Sequence, residues 1–356
     1  MAYTTIDKPE DYFNTITYTG DGSANQSMTG VGFKPDFLWI KRRNAAERHV
    51  LTNAQYDFSS GAYKWQDSSA DNAQFSGGTG VASFDADGYT IKGSDSTWNT
   101  SGSTYVAWSW KMNGGTTSTN TDGDIDSTVQ VNQAAGQSIV SWSATNTTAR
   151  SIGHGLGIKP MITIIRNKTR VENWRVHASS FSATGASTLD NTSLHNTATN
   201  TFTADSTSTV FKVGTDFSVN GNYPYIAYCF APIKGYSKFG HIQGNVSSAT
   251  DGTADDSFVY CGFRPAFVIY KQATDGVADW EMIDTARDTG NPCNHRLFPS
   301  TSAGDNTAET PIDILSTGFK MKDNYNGIGS NGTDYIYMAW AEHPFVTSTG
   351  VPTTAR

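Results

Sequence analysis

The chain has 356 residues, enough for two or three domains, and a formal net charge of −8. This acidic balance argues against a nucleic-acid partner, because non-specific affinity for phosphates depends on clustered lysine and arginine. No apolar run approaches the roughly 18 residues of a membrane span, so we expect no membrane insertion. Charged residues make up only 16%, whereas Gly, Ser, Thr, Asn and Asp are abundant, which predicts many short strands joined by turns.

The chain opens with a lead-in at residues 1–15, whose aromatic residues suggest that it docks on its own domain or on another chain. After a first strand at Ile16 comes the segment Gly-Phe-Lys-Pro-Asp-Phe-Leu-Trp-Ile-Lys at 32–41. Proline lacks the N–H that a sheet ladder needs, so Pro35 fits the first residue or the edge of a strand. The apolar residues that follow occupy both alternating faces, which predicts a strand covered on both sides.

Two motifs recur along the chain at matching intervals. The proline segment returns as Gly-Ile-Lys-Pro-Met-Ile-Thr-Ile-Ile-Arg at 157–166 and as Gly-Phe-Arg-Pro-Ala-Phe-Val-Ile-Tyr-Lys at 262–271. A second strand-like run opens on a tyrosine, 70 residues (35 to 105), 65 (160 to 225) and 70 (265 to 335) after the proline. The landmark residues are Pro35, Pro160 and Pro265 with Tyr105, Tyr225 and Tyr335.

These motifs predict an all-β protein made of three tandem β-sandwich domains, of jelly-roll type, of about 110 residues each. A repeat this long is not a solenoid element, since those have periods of roughly 20–50 residues. We expect large aromatic residues to fill the space between the two sheets of each sandwich; examples are Trp39, Trp108, Trp110, Phe267 and Trp340. The predicted boundaries are a lead-in at 1–15, sandwiches at 16–112, 132–232 and 233–344, a flexible or semi-extended linker at 113–131 and a tail at 345–356.

Three long polar loops, at 57–80, 179–207 and 284–309, differ in length and sequence between the repeats. Recognition residues usually lie on loops carried by a rigid scaffold, so we expect these loops to form the variable surface. Tyr63 and Trp65 in the first loop are candidate ligand or partner residues. Their rings could stack on sugars or pack against a neighbouring subunit.

Two basic residues bracket each proline-motif strand, one directly before the proline and one six positions after it. One interpretation is a charged contact between subunits. We favour the other, in which the aliphatic stems cover the strand ends while the charges reach water. The pairs are Lys34 with Lys41, Lys159 with Arg166, and Arg264 with Lys271.

Metal and disulfide signatures are weak. The carboxylates in Asp-Gly-Asp-Ile-Asp at 122–126 alternate as in a calcium loop, but Ser127 and Gln133 stand where that loop needs Gly and Glu. The seven histidines are scattered singly, which does not match the spacing of a zinc site. The cysteines Cys229, Cys261 and Cys293 are odd in number, so we expect buried thiols and no disulfide framework.

Catalytic motifs do not stand out either. The chain carries neither the nucleophile elbow nor the phosphate-binding glycine loop. Two carboxylates from distant positions, for instance Glu281 and Asp313, could still meet as a glycosidase pair. The repeats nevertheless share scaffold residues rather than reactive ones, so we predict that the protein is not an enzyme and expect no cofactor.

Several segments also resemble a family of tailed-bacteriophage virion proteins, many of them from aquatic phages. The likeness covers essentially the whole chain, and it implies that the sandwich domains are lectin-like. It rests on residues 4–14, 32–41, 105–108, 153–157, 225–230, 237–240, 285–288 and 335–342.

The resemblance implies a non-enzymatic structural protein displayed on the virion as a tail fibre, tail component or capsid decoration protein, assembled in the bacterial cytoplasm. Its partners would be other virion proteins and further copies of itself, with a trimer expected. The alternative is a carbohydrate-binding adsorption protein that attaches to host surface glycans, and a third hypothesis is a glycan depolymerase.

Overall fold

The computed structural model describes residues 3–56, 58–144, 148–245, 257–322 and 329–353. Within these ranges the protein is all-β, as the sequence predicts, with strands in six antiparallel sheets and a single 3-10 turn at Pro9–Asp11. No helix in the described part of the chain is long and apolar enough to cross a membrane.

The strands fall into three consecutive groups, which we call the first, second and third repeat. The first consists of β1 (Phe13–Thr19), β2 (Asn25–Met28), β3 (Phe37–Arg42), β4 (His49–Asn53), β5 (Tyr63–Asp67), β6 (Phe75–Gly77), β7 (Gly80–Asp85), β8 (Gly88–Lys92) and β9 (Thr104–Trp110). The second consists of β10 (Ser118–Asn120), β11 (Ser127–Asn132), β12 (Gln137–Ser143), β13 (Arg150–Gly153), β14 (Ile162–Asn167), β15 (Arg175–Ala178), β16 (Ser187–Thr188), β17 (Phe202–Ala204), β18 (Val210–Val213) and β19 (Pro224–Phe230). The third consists of β20 (Ser237–Gln243), β21 (Phe258–Tyr260), β22 (Phe263–Gln272), β23 (Glu281–Asp284), β24 (Ile312–Leu315), β25 (Gly318–Met321) and β26 (Asp334–Pro344).

Each repeat contributes one large and one small sheet. The large sheets have the strand orders β1-β9-β3-β4-β5-β6, β10-β11-β12-β19-β14-β15-β16 and β20-β26-β22-β23. The small sheets are β2-β8-β7, β13-β18-β17 and β21-β25-β24. In the first repeat, Leu38 and Ile40 of the large sheet share a buried cluster with Tyr89 and Ile91 of the small one. This layering of sheet on sheet is consistent with a β-sandwich.

The two sequence motifs form neighbouring strands in every large sheet, with the same register each time. The second residue after the proline lies opposite the fifth residue after the tyrosine. These pairs are Phe37 with Trp110, Ile162 with Phe230, and Phe267 with Trp340. The motifs therefore occupy equivalent places in the three sheets.

The turn that leads into each proline requires glycine. Gly32, Gly157 and Gly262 have φ angles of 88°, 74° and 79°, a left-handed conformation that residues with a Cβ rarely adopt. Pro35 and Pro160 lie just before their strands, whereas Pro265 lies inside β22 at a break in the register. At these positions the sheet ladder does not need the backbone N–H that proline lacks.

Alternate residues of the landmark strands face two different cores. Leu38 and Ile40 face the small sheet, whereas Phe37 and Trp39 face a cluster built by all three repeats. The expectation that the large aromatic residues fill the space between the two sheets of one sandwich is therefore wrong. They lie in the shared cluster instead, as do Trp108, Trp110, Phe267 and Trp340.

Three equivalent aromatic residues meet in this shared core. The ring centroids of Trp110 and Phe230 are 6.2 Å apart, those of Phe230 and Trp340 5.3 Å, and those of Trp110 and Trp340 5.5 Å. Each residue comes from a different repeat, and each is at most 2% exposed. The three large sheets thus surround a common axis.

The predicted linker, the lead-in and the tail are all packed against the repeats. The prediction of a flexible linker at 113–131 is wrong, because β10 and β11 lie in that range and pair into the second large sheet. The lead-in docks on the third repeat, where the Tyr3 hydroxyl donates to the Gly262 carbonyl at 2.7 Å. The tail contacts the lead-in through a hydrogen bond of 2.6 Å from the Ser348 amide to the Asp7 carboxylate.

Candidate functional site

The second basic residue of each landmark strand is fully buried. Lys41, Arg166 and Lys271 are all 0% exposed. The interpretation that these side chains cover the strand ends while their charges reach water is therefore wrong for these three. The residues before the prolines behave differently, since Lys34, Lys159 and Arg264 are only half-buried, and Arg264 pairs with Glu342 at 2.6 Å.

Each buried cation donates to one carbonyl of its own repeat and to one carbonyl of a neighbouring repeat. We call each of these contacts a joint. Lys41 Nζ reaches the third repeat, Arg166 reaches the first, and Lys271 reaches the second, so the joints close a circle. For Lys41, Arg166 and Lys271 in turn, the acceptors in the same repeat are the carbonyls of Arg42, Glu172 and Ala278, and those across the joint are Ser302, Asn72 and Asn191.

The acceptors across the joints lie on the long loops for which the sequence predicted a variable recognition surface. Part of each loop instead faces the next repeat. Hydrogen bonds from a charged donor are about twice as strong as neutral ones, so each cation stabilises the loop of its neighbour. Carbonyls cannot neutralise the charge of the two lysines, and burial lowers the pKa of Lys41 and of Lys271 to about 8. Arg166 also has the buried Asp190 carboxylate 3.9 Å away. Burial also lowers the pKa of Arg166.

An indole reinforces two of the joints. Trp174 Nε1 donates to the Asp67 carbonyl of the first repeat at 2.7 Å, and Trp280 Nε1 donates to the Thr188 carbonyl of the second at 2.7 Å. His49 occupies the equivalent place in the first repeat and accepts a hydrogen bond from Trp39 Nε1 at 3.0 Å. Burial holds the pKa of His49 well below its usual range, so the ring is neutral at physiological pH.

The joint between the first and third repeats also contains an ion-pair network. Arg287 donates to Asp284 at 2.7 Å and to Asp305 at 3.0 Å, and Arg43 donates to the same Asp305 at 2.8 Å. Trp108 Nε1 donates to Asp284 at 3.1 Å. The contacts of Trp108 and Arg43 join segments more than 170 residues apart in sequence and close the circle between its first and last members.

The landmark tyrosines fasten the loop that precedes their own strand. The Tyr105 hydroxyl donates to the Ser96 carbonyl at 2.9 Å and accepts from the Thr100 amide at 3.0 Å. The other two make part of this pattern: the Tyr225 hydroxyl donates to the Phe217 carbonyl and the Tyr335 hydroxyl accepts from the Ser330 amide, each at 3.0 Å. Their shared role is local and structural.

Tyr63 and Trp65 do not lie on an exposed loop. Both belong to β5, with 7% and 9% of their surface exposed, and the Trp65 ring stacks on Phe75 with centroids 4.1 Å apart. Little of either ring is left for a sugar, so the assumption of an exposed position is wrong. Of the predicted loop at 57–80, Asp57 lies outside the described residues.

The carboxylates that the sequence singled out for catalysis bind neighbouring side chains. Glu281 is 3% exposed, accepts from the Tyr270 hydroxyl at 2.6 Å and pairs with Arg296 at 3.2 Å. Burial raises the pKa of Glu281. Asp313 lies in the small sheet and pairs with Lys322 at 3.2 Å.

Glu281 and Arg296 line a cleft of about 360 Å³ at the joint between the second and third repeats, together with Thr192, Val277 and Phe298. Arg296 also pairs with Glu309, so its charge is balanced within the protein. This arrangement stabilises the wall of the cleft and does not present two free carboxylates.

The acidic segment at 122–126 also binds within the protein. The Asp124 carboxylate accepts hydrogen bonds from the Ser151 amide and hydroxyl, both at 2.8 Å. Among the described residues, no group of three or more His, Cys, Asp or Glu is placed to hold a metal ion. Cys229, Cys261 and Cys293 are buried and free, and burial raises the pKa of each to about 12.

Sequence reasoning identified the joint cations but assigned them the wrong role. Their constant offset of six residues after the proline was the available signal. The acceptors gave no signal, because they are backbone carbonyls on loops with little sequence in common. The candidate functional feature is therefore this closed set of joints around a shared aromatic core.

A family model described as "Domain of unknown function (DUF7483)" matches residues 8–344. Neither the curated proteins nor the solved structures include a match to the chain.

Proposed function

We propose that this chain, which belongs to the family of the domain of unknown function DUF7483, is a non-enzymatic structural protein of a tailed-bacteriophage virion, as the resemblance of its sequence to such proteins implies. It would be exposed on the particle as a tail fibre, tail component or capsid decoration protein. It would contact other virion proteins and assemble in the bacterial cytoplasm.

The proposal includes a finer description of the fold, as three tandem β-sandwich domains of jelly-roll or lectin-like type, each of about 110 residues. The equal registers of the three motif pairs support it, as do the three matched pairs of large and small sheets. The shared core adds that such domains would pack side by side around one axis.

The functional proposal rests on what the residues shared by the three repeats do in the structure. The prolines set strand entry, the tyrosines fasten loops, and the buried cations hold neighbouring repeats together. A charged group that donates to two carbonyls stabilises structure and is not presented to a substrate. Such residues suit a rigid building block better than an active site.

Immunogold electron microscopy of intact virions tests the proposal directly. Antibody raised against this chain should label purified particles, and peptides of the chain should appear in their mass spectra. Unlabelled particles that lack these peptides would exclude a virion component. Sedimentation velocity of the purified protein tests the proposed homo-oligomer, for which a trimer is expected.

The two other hypotheses are distinguished by separate assays. A glycan array probed with the intact protein tests carbohydrate binding, and viscometry of host polysaccharide tests depolymerisation. For the second assay Glu281→Gln is the informative variant, since Glu281 is the buried carboxylate of the cleft. Loss of viscosity with the wild-type protein, abolished by this substitution, would replace the non-enzymatic proposal with a depolymerase.

A further inference from the structure

The small sheets of the three repeats present equivalent outer faces. In each, one edge-strand residue pairs with a buried aromatic of the middle strand: Met28 with Tyr89, Ile152 with Phe211, and Val259 with Phe319. Side chains alternate along a strand, so the residues on either side of Met28, Ile152 and Val259 point away from the core. These flanking positions can be compared directly between the repeats.

The third repeat differs from the first at these positions. The first carries Ser27 and Thr29, which are exposed and polar. The third carries Phe258 and Tyr260, which are 43% and 53% exposed. Leu315, 36% exposed, lies on the same face, because it pairs with Gly318, which in turn pairs with Tyr260. The first repeat shows that such a face is stable without aromatic residues, so the exposed rings of the third repeat need another explanation.

In the second repeat a segment of the chain itself covers the equivalent face. Ile125 forms a parallel bridge with Ile152, and the Ser127 hydroxyl donates to the Gly153 carbonyl at 2.7 Å. Ser151, the equivalent of Phe258, donates its amide and its hydroxyl to Asp124. The protein therefore already contains an acidic, extended segment docked on one of these edges.

Basic residues accompany both faces. Arg150 and Lys212 lie close enough to Asp124 to act on its charge. Lys320 occupies in the third repeat the place that Lys212 has in the second, directly opposite Phe258. Lys238 Nζ lies 5.7 Å from the centre of the Tyr260 ring and donates to the Tyr260 carbonyl. Exposed aromatic residues with a basic rim are typical of a surface that binds an acidic protein segment.

We propose that the edge and outer face of β21 bind an extended acidic segment of a partner protein by strand addition, as the edge of β13 binds residues 122–126 within the chain. The path differs at one point. In the second repeat the Asn120 amide oxygen occupies the space next to Gly153, where an added Cβ would lie only 1.6 Å from it. Tyr260 carries a side chain at the equivalent position, so a segment bound to β21 cannot follow the path of Asn120. The incoming segment passes beside the Tyr260 ring and packs an apolar residue against it and Phe258, with a carboxylate near Lys238.

The chain itself supplies the probe, a fluorescein-labelled peptide with the sequence of residues 118–127, Ser-Thr-Asn-Thr-Asp-Gly-Asp-Ile-Asp-Ser. Anisotropy is measured while the full-length protein is added at low salt. We expect saturable binding that weakens with added salt. The double variant Phe258→Ser, Tyr260→Thr installs residue types of the first repeat and should weaken binding at least about 10-fold, as the loss of two aromatic anchors does.

Matched controls test whether binding depends on this face and not on exposed apolar surface in general. Val277→Ser removes another exposed apolar residue, 68% exposed and on a different loop, and should leave binding unchanged. Lys238→Gln should weaken binding about 3-fold, and a peptide with Asn in place of its three Asp residues should bind at least about 5-fold more weakly.

Three outcomes would overturn the proposal. The first is no saturation by about 1 mM protein, the weak end of specific binding, or equal binding by the Phe258→Ser, Tyr260→Thr variant. The second is binding of a polyuronate, but not the peptide, at this face. The third is that the wild-type protein does not bind the peptide but the variant Asp251→Asn, Asp255→Asn, Asp256→Asn does. That result would mean that the chain's own acidic residues, and not a partner protein, are the ligand of this face. None of these outcomes bears on whether the protein is a virion component.

Discussion

The joints between repeats and the outer faces of the small sheets are built from equivalent positions but have diverged to different extents. At the joints, a buried cation six residues after the proline bonds across the boundary in all three repeats. On the outer faces, equivalent positions carry Ser27, Ser151 and Phe258. One is open and polar, one is covered by the chain, and one is open and aromatic.

This difference shows which positions structure constrains. Loss of the cation at any joint removes a hydrogen bond between two repeats that has a charged donor, so structure constrains these positions. An outer face carries no such requirement, so its residues are free to change. Divergence at structurally equivalent positions is therefore a better guide to recognition in this protein than the repeated landmarks are.

The largest effect should follow from damage to the shared core. Trp110→Ala removes one of the three aromatic residues at the axis and should lower the free energy of unfolding by about 3–5 kcal/mol, since the cavity borders all three repeats. Urea unfolding followed by tryptophan fluorescence measures it, and one cooperative transition is expected. A cost under about 1 kcal/mol would show that the repeats do not depend on a common core.

Loss of a joint donor should cost slightly less. Arg166→Met leaves the carbonyls of Glu172 and Asn72 without their donor, and should lower the free energy of unfolding by about 2–4 kcal/mol. Arg170→Met is the matched control on the following loop, where an exposed ion pair should contribute less than about 1 kcal/mol. Equal costs for the two variants would contradict the special role of the joint.

The buried lysines should make stability depend on pH above neutrality. The pKa of Lys271 is about 8 when folded against 10.5 for the free side chain, so between these values the unfolded chain binds more protons. Wild-type stability should therefore rise relative to Lys271→Met from pH 8 to 10.5, by about 1–3 kcal/mol. Unfolding series at several pH values measure this difference. Lys92→Met, at an exposed position, is the control, and parallel curves for wild type and Lys271→Met would refute the prediction.

A landmark tyrosine should contribute a smaller, local amount. Tyr105→Phe removes a hydroxyl that bonds both Ser96 and Thr100, and should cost about 1–2 kcal/mol, as the loss of two buried hydrogen bonds does. Amide hydrogen exchange should show faster exchange in the preceding loop, with the joints unaffected. Faster exchange across the whole molecule would mean that the tyrosine acts globally.

The smallest effect is expected on the outer face. Phe258→Ser with Tyr260→Thr should change the free energy of unfolding by less than about 1 kcal/mol, because both side chains are about half exposed and the first repeat carries polar residues at the equivalent positions. Thermal unfolding measures this change. A large loss of stability would mean that the two rings support the sheet, which would remove the basis for a binding surface.

Much of the fold could be read from the sequence because the relevant signals are local. Pro35 and its equivalents mark strand entry, and alternating apolar residues mark strands covered on both sides. Tyr63 and Trp65 were misplaced because β5 is short and lies in a polar stretch, where composition predicts a loop. The prediction of a flexible linker failed for the same reason, since β10 and β11 are stabilised by pairing with each other and β11 by pairing with β12.

By itself the sequence determined that this protein is built of β-strands, that two motifs recur three times, and which residues those motifs preserve. Backbone preferences and side-chain alternation depend on only a few neighbouring residues, so the local sequence is enough to predict them. Only the tertiary structure decided that Trp110, Phe230 and Trp340 share one core and that Lys41, Arg166 and Lys271 bond across repeats. Their partners are distant in the chain and several are backbone carbonyls, whose positions depend on how the sheets pack and not on residue type.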